Sequence, residues 1–282
     1  MCCQDAGVSR AVLLTSSPDR PGLVAAIAGA LTDAGLNIVE VDSHLELGWF
    51  HQRVEVEAVA ADGDAVAALQ RAAVVAGVDL DRTRITADPG APRPTALLVS
   101  RSPHCAADLL ARADAGSLPI DVRVVVSNHD DLALLAARWG VPFVQATEEP
   151  AVVDAVEAAQ AEVVVLARYM RVLSPELCER WRAQAINIHH SFLPAFVGAD
   201  PYRRAHERGV KMIGATAHYV TAELDAGPII AQDTARVSHR DNVEELRRRG
   251  AELERRVLAD AVRLHVDDRV VIAADRTVVF DH

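Results

Sequence analysis

Five side chains that can do chemistry cluster in two short stretches of the sequence. Asn187, His189 and His190 lie within INIHHSFLP, and His218 and Asp225 follow within HYVTAELDAGP. Amide and imidazole N–H groups can donate to an oxygen that gains negative charge, and a carboxylate can hold an imidazolium or pass on a proton. This set can therefore stabilise an oxyanion and move a proton at the same centre.

The residues around Asn187 follow the period of a β-strand. Ile186 and Ile188 alternate with Asn187 and His189, which predicts that the isoleucines are buried on one face while the amide and the imidazole share the other. Residues 191–194 then break the strand. Because open α/β sheets hold their ligands at the carboxyl ends of strands, we expect the site there.

The two stretches resemble the folate-dependent formyltransferase family. N-I-H-x-S-x-L-P followed by H-Y-V-T-x-E-L-D-x-G-P-I-I matches its motifs. The resemblance implies that Asn187, His189 and Asp225 form the catalytic triad, and it leaves His190 and His218 as possible supporting residues. It also implies 10-formyltetrahydrofolate as the substrate.

Longer strings resemble the deformylase branch of that family, whose members transfer the formyl group to water. These strings are HHSFLPAFVGADPY, GVKMIGATAHYVT, SNHDDL and LLVSRSPHCAADLL. The resemblance implies hydrolysis of 10-formyltetrahydrofolate to tetrahydrofolate and formate, a reaction that feeds one-carbon and purine metabolism.

A second set of candidate residues follows a buried apolar strand, in LARYMRVLS. The resemblance implies that this loop lines the flat pterin pocket, with substrate-binding residues Met170, Arg171, Val172 and Leu173. The alternative is core packing ahead of a helix opened by Ser174 and Pro175.

The formyl acceptor has an alternative to water, which is an amine such as glycinamide ribonucleotide. Enzymes that use this amine carry a glycine-rich loop after the first strand, where backbone donors bind the substrate phosphate. Here the loop, residues 100–105, contains no glycine, and Pro103 lacks a backbone donor. Water is therefore favoured as the formyl acceptor.

An alternative from another functional class is that the protein is not an enzyme and senses folate or an amino acid.

No metal and no permanently bound cofactor are expected. The four cysteines, Cys2, Cys3, Cys105 and Cys178, lack the paired spacing of a zinc site or a disulfide framework. They are interpreted as free thiols.

The pattern of apolar and turn residues in the N-terminal region predicts the strand and helix order βαββαβ, which is the ferredoxin-like arrangement. Its segment DRPGLVAAIAGALTDAGLNI resembles the start of an ACT domain. The resemblance implies a small effector such as an amino acid. The free backbone donors and small residues at the starts of the first helix and of the second strand locate it near Gly22 and Asn37. Because sheets of this kind expose edges that a second copy can cover, we expect a homo-oligomer with the ligand at or near that contact.

The chain is predicted to be an α/β protein of two domains. A proline-rich linker at 89–94 separates an ACT-like domain, 1–88, from a catalytic domain, 95–282. After the linker, TALLVS, VRVVVS and EVVVLA are apolar, β-branched runs separated by helical segments. This pattern predicts a doubly wound, mostly parallel sheet of the formyltransferase type.

Charge and hydropathy narrow the possible partners. The net charge is −11, and the basic residues are spread along the chain, which argues against a nucleic-acid-binding surface. No apolar run approaches the length of a membrane span, and the first residues lack the pattern of a signal peptide. We expect no membrane partner and a cytoplasmic location.

Overall fold

The computed structural model describes residues 9–59, 63–194 and 201–280. The chain divides into two compact units, Met1–Ala91 with Asp267–His282, and Pro92–Val266. Cys2, Cys3 and residues 195–200 of the predicted motif lie outside the described residues.

The first unit contains an antiparallel sheet of four strands with the order β2-β3-β1-β4. The strands are β1 (Arg10–Pro18), β2 (Leu36–Glu46), β3 (Trp49–Ala58) and β4 (Thr83–Ala87). Two helices, α1 (Leu23–Asp33) and α2 (Ala65–Ala76), pack their apolar residues with one face of this sheet. The predicted βαββαβ order is confirmed.

Local signals in the sequence explain where these helices begin and end. The Asp64 side chain accepts a hydrogen bond from Ala67 N at 3.0 Å and caps α2. Gly77 ends α2 with a φ of +66°, and Gly35 follows α1 with a φ of +76°. Glycine adopts this left-handed conformation without the steric cost of a Cβ atom, so both helices stop there.

The second unit contains a seven-stranded sheet with the order β11-β10-β9-β8-β5-β6-β7. Its strands are β5 (Arg93–Val99), β6 (Ile120–Ser127), β7 (Phe143–Gln145), β8 (Val163–Leu166), β9 (Ala185–His189), β10 (Met212–Tyr219) and β11 (Ile229–Arg236). Strands β5 to β9 are parallel, and β10 is antiparallel to both of its neighbours. The predicted doubly wound, mostly parallel sheet is confirmed.

Six helices accompany this sheet among the described residues. They are α3 (His104–Asp114), α4 (Ala133–Arg138), α5 (Glu149–Ala158), α6 (Pro175–Arg180), α7 (Pro201–Arg208) and α8 (Val243–Val266). The strands β5 and β8 are almost fully buried, as continuous apolar runs require. Chain order reverses around β5, which places a ligand crevice at the carboxyl ends of the neighbouring strands.

The C-terminal residues form a hairpin of β12 (Val270–Ala273) and β13 (Arg276–Val279). Val271, Ala273, Val278 and Phe280 form an apolar cluster with Leu14 of β1. The hairpin therefore belongs to the first unit, whereas the sequence-based division placed it in the domain 95–282. The reason is that β1 has a second apolar face, which α1 and α2 do not cover.

Within residues 9–59, 63–194 and 201–280, no helix combines the length and the apolar character needed to cross a membrane.

Candidate active site

Strand β9 carries two of the predicted catalytic side chains to its carboxyl end. Ile186 and Ile188 are buried, and the alternation of the strand places Asn187 and His189 on the opposite face. The antiparallel register between β9 and β10 sets His218 directly opposite Asn187. An amide and two imidazoles therefore meet at one edge of the sheet.

Asp225 reaches this edge from the loop between β10 and β11. Its Oδ2 lies 3.1 Å from His189 Nδ1. The backbone of Asp225 is left-handed, with a φ of +57°, a conformation that aspartate and asparagine tolerate better than most residues. Gly227 packs so closely on β10 that a Cβ atom there would overlap the carbonyl oxygen of Tyr219. Because residue 227 is a glycine, the loop can approach β10 closely enough to place the Asp225 carboxylate beside His189.

His218 links the amide to the backbone. Its Nδ1 donates to the carbonyl oxygen of Tyr219 at 2.9 Å, so this nitrogen carries a proton. Its Nε2 lies 3.2 Å from Asn187 Nδ2 and 3.7 Å from Asp225 Oδ1. The amide contact is the shorter one, and a neutral ring accepts it. The second N–H of Asn187 is then left for a ligand.

The electrostatics of the site favour an ionised Asp225. The hydrogen bond from His189, and then the nearby imidazole of His218, hold the pKa of Asp225 well below its usual range. His189 is only 6% exposed, and its Nε2 has no hydrogen-bond partner among the described residues. Burying a polar nitrogen without a hydrogen-bond partner costs free energy. We therefore expect Nε2 to form a hydrogen bond with a ligand in the cleft.

The side chains border a cleft of about 300 Å³. Met170, Arg171, Val172 and Leu173 line it together with the predicted triad and with His190 and His218. The structure thus brings the predicted catalytic and substrate-binding residues into one cleft. Met170 and Val172 are 62% and 69% exposed and both line the cleft, so they offer apolar surface that a ligand can cover.

Two hydrogen bonds hold the loop that carries this wall. Ser100 Oγ, at the end of β5, accepts from Met170 N at 3.0 Å. The Ser174 side chain accepts from Leu177 N at 3.2 Å and caps α6, as the Ser-Pro pair predicts. Ser100 was not singled out as a site residue by the sequence, because its partner Met170 lies on a different loop.

A buried carboxylate lies behind His190. Arg168 Nη1 contacts His190 Nδ1, and Arg168 Nε lies 3.4 Å from Glu254 Oε2. Glu254 also contacts His104 Nε2 at 2.9 Å and the Tyr202 hydroxyl at 2.7 Å. Sequence reasoning missed Arg168 and Glu254. No spacing signal connects them, because α8 meets the loop after β8 only through the fold.

The two predicted regulatory positions do not come together within one copy of the chain. Gly22 precedes the first residue of α1, and Asn37 follows its last. A helix of 11 residues is about 16 Å long, so the two positions lie at opposite ends of it. Asn37 Nδ2 donates to Glu57 Oε1 at 3.0 Å. A single small ligand contacts both positions only if a second copy supplies one of them.

One group of potential metal ligands occurs in the part of the chain that the structure describes. His104, Cys105 and Glu254 present atoms within 4.8 Å of one another. The same carboxylate already contacts the Arg168 guanidinium and the Tyr202 hydroxyl, so its charge is met by protein groups.

Comparisons with known proteins agree with this fold. Residues 94–262 match the family model described as formyl transferase, and residues 11–74 match that of the ACT domain. The second unit is thus a formyl transferase domain, and the first contains an ACT domain.

Full-length relatives narrow the assignment. The formyltetrahydrofolate deformylase of Bacillus subtilis (strain 168) is 40% identical over 99% of this chain and 96% of its own length. The crystal structure of a formyltetrahydrofolate deformylase from Pseudomonas syringae pv. tomato has a TM-score of 0.91, with 42% identity over 99% of this chain and 96% of that one. The chain belongs to the formyltetrahydrofolate deformylase family.

A second structure, glycinamide ribonucleotide transformylase 1 from Symbiobacterium toebii, has a TM-score of 0.65. It is 34% identical and covers 69% of this chain and 97% of its own. The family resemblance and the fold class predicted from the sequence are confirmed, while the roles of individual residues stay predictions.

Proposed function

We propose that the protein hydrolyses 10-formyltetrahydrofolate to tetrahydrofolate and formate. The observation that carries this proposal is the pairing of His189 with Asp225 beside Asn187, at the floor of a cleft lined by Met170 and Val172. The cleft therefore combines three features. Asn187 and His189 can donate to an oxyanion, Asp225 can carry a proton, and Met170 and Val172 offer apolar surface for a flat ring. Family membership supports the same reaction.

The loop 170–173 holds the pterin ring of the substrate. Its exposed apolar side chains pack on the ring, while its backbone groups bind the polar edge, as ligand pockets of this kind require. Binding in this orientation directs the formyl group towards Asn187 and His189. The cleft supplies this geometry before the reaction begins, which lowers the entropic part of the barrier.

The reaction begins when a water oxygen attacks the formyl carbon, whose oxygen becomes negatively charged. The free N–H of Asn187 and a proton on His189 Nε2 donate to this oxygen. Asp225 Oδ2 holds the His189 ring, and its Oδ1 accepts a proton from the attacking water. Because the pKa of Asp225 is held low, the carboxyl passes this proton to the departing nitrogen. The C–N bond breaks, and formate and tetrahydrofolate leave.

The runner-up acceptor is the amine of glycinamide ribonucleotide. Pro103, which precedes α3, offers no backbone donor for a phosphate. The next residue, His104, directs its ring Nε2 to the buried carboxylate of Glu254 at 2.9 Å, so this nitrogen is engaged within the protein. Both features favour water.

An assay with both acceptors tests the proposal. Purified protein is supplied with 10-formyltetrahydrofolate, with and without glycinamide ribonucleotide. We expect tetrahydrofolate and formate in equal amounts, at the same rate in both reactions, and no formylated amine. Formation of the formylated amine at the expense of formate would identify a transferase, and no consumption of substrate would support the non-catalytic sensor.

The first unit is proposed to regulate this activity. An ACT domain supports binding of a small effector such as an amino acid, near Gly22 of one copy and Asn37 of another. This arrangement requires the homo-oligomer expected from the exposed sheet edge at β2. The catalytic steps need neither a metal nor a permanently bound cofactor, and a cytoplasmic location stays a prediction.

A further inference from the structure

A chain of polar side chains runs from the buried Glu254 to the ring that lies next to His189. Glu254 is 2% exposed and Arg168 is 16% exposed, so this ion pair is largely shielded from solvent. Arg168 contacts His190, and the His190 ring stacks on His189 with centroids 5.1 Å apart and planes 20° apart. The catalytic imidazole thus has Asp225 at its Nδ1 and His190 on its face.

The direction of the hydrogen bonds fixes the proton on His190. A guanidinium only donates, so His190 Nδ1 accepts from Arg168. In the neutral ring the single proton must then be on Nε2. Glu254 in turn holds the guanidinium, and the His104 ring and the Tyr202 hydroxyl hold Glu254.

The surroundings also keep His190 uncharged. Burial, followed by the positive charge of Arg168, lowers the pKa of His190 to about 4. The other charged and titratable groups that face it are Glu254 from α8, His189 from β9, Asp225 from the loop after β10 and Tyr202 from α7. Glu254 and Asp225 act in the opposite direction, but Glu254 is paired with Arg168 and Asp225 with His189.

We propose that Arg168 and Glu254 hold His190 as a neutral Nε2–H tautomer, and that His190 is a positioning residue for His189. A neutral ring on the face of His189 fixes its orientation and leaves it free to carry the proton that the oxyanion needs. A charged ring at the same place would oppose that proton through like-charge repulsion. Only the kinetic test of this inference depends on the proposed hydrolysis.

Replacement of Arg168 separates this role from a purely structural one. In Arg168→Met, His190 stays buried but loses the cation that lowers its pKa, and Glu254 loses its partner, so the pKa of His190 rises above its wild-type value of about 4. At about pH 5.5 a larger fraction of the ring is then charged than in the wild type, and kcat/KM should fall by up to about tenfold relative to the value at about pH 8, beyond any change in the wild type. The exposed Arg182, in Arg182→Met, is the matched control and should keep the wild-type pH profile.

A second substitution shows whether His190 causes that fall. The double variant Arg168→Met/His190→Phe keeps a ring in the stack but cannot titrate, so the extra loss at low pH should disappear even where the overall rate is reduced. A structural role predicts an equal loss at every pH for both variants. That outcome, or an unchanged profile in Arg168→Met, overturns the inference.

A measurement without substrate keeps the inference independent of the reaction. Nitrogen-15 NMR of histidine-labelled protein, assigned by comparison with His190→Asn, should show His190 neutral with its proton on Nε2 between about pH 5 and pH 8. A His190 that is charged at pH 6, or protonated on Nδ1, refutes the inference whether or not the protein is an enzyme. If the NMR result holds but no formate is released, only the proposed function fails.

Discussion

Substitution of Asp225 by asparagine should remove most of the turnover while leaving the fold intact. Asparagine tolerates the left-handed backbone at this position, and it is nearly isosteric with aspartate. What it removes is the negative charge 3.1 Å from His189 Nδ1. At an effective dielectric constant of about 20, a unit charge pair at that distance interacts by about 5 kcal/mol. Each 1.36 kcal/mol is tenfold in rate, so kcat should fall on the order of 10³- to 10⁴-fold.

Formate release measured at saturating 10-formyltetrahydrofolate gives kcat, and circular dichroism with thermal unfolding checks the fold. The matched control is Glu223→Gln, which removes an exposed carboxylate from the same loop and should keep the wild-type rate. A correctly folded Asp225→Asn protein that turns over at more than about a tenth of the wild-type rate would refute the role given to this carboxylate.

Four further predictions test separate parts of the account. Gly227→Ala should cost activity and lower the melting temperature, because its Cβ would overlap the Tyr219 carbonyl and shift Asp225; wild-type activity would show that the loop is not positioned this way. Val172→Ser should raise KM by roughly tenfold with a smaller change in kcat, since exposed apolar surface that a ligand buries contributes about 1 to 2 kcal/mol; an unchanged KM would remove this residue from the binding wall. Chelators should leave formate release unchanged, and loss of activity that a divalent ion restores would reveal a metal site. Titration of the intact protein with glycine or methionine should change its activity, and if neither binds, the ACT domain serves assembly alone.

The acid stability of the protein should also depend on Asp225. Because the folded-state pKa of this carboxyl is lowered, its contribution to stability is present above the unfolded pKa of about 3.9 and is lost as the pH falls towards the folded value. The stability difference between wild type and Asp225→Asn, measured by urea unfolding, should therefore shrink below about pH 4. A difference that is constant down to about pH 2 would contradict the assignment.

Local patterns in the sequence predicted the elements that carry the site. The alternation around Asn187 and His189 placed both side chains at the end of β9, and the Ser174-Pro175 pair marked the start of α6. These signals work because they depend on side-chain direction and capping within a few residues.

Such local patterns could not predict contacts between segments that are distant in the sequence. The ion pair of Arg168 with Glu254 joins the loop after β8 to α8, and Leu14 joins β1 to the C-terminal hairpin. Only the packing of the fold brings these residues together. For the same reason the sequence-based division placed the hairpin in the domain 95–282, although its apolar residues pack with Leu14 of β1.

The source of the oxygen in formate shows whether water is the acceptor of the formyl group. The enzyme is supplied with 10-formyltetrahydrofolate in water enriched in oxygen-18, and the formate released during the first turnovers is analysed by mass spectrometry. Attack by water at the cleft predicts one labelled oxygen in each formate, with one tetrahydrofolate formed per formate. Tetrahydrofolate formed without formate, or formate without the label, would show that the formyl group goes to an acceptor other than water.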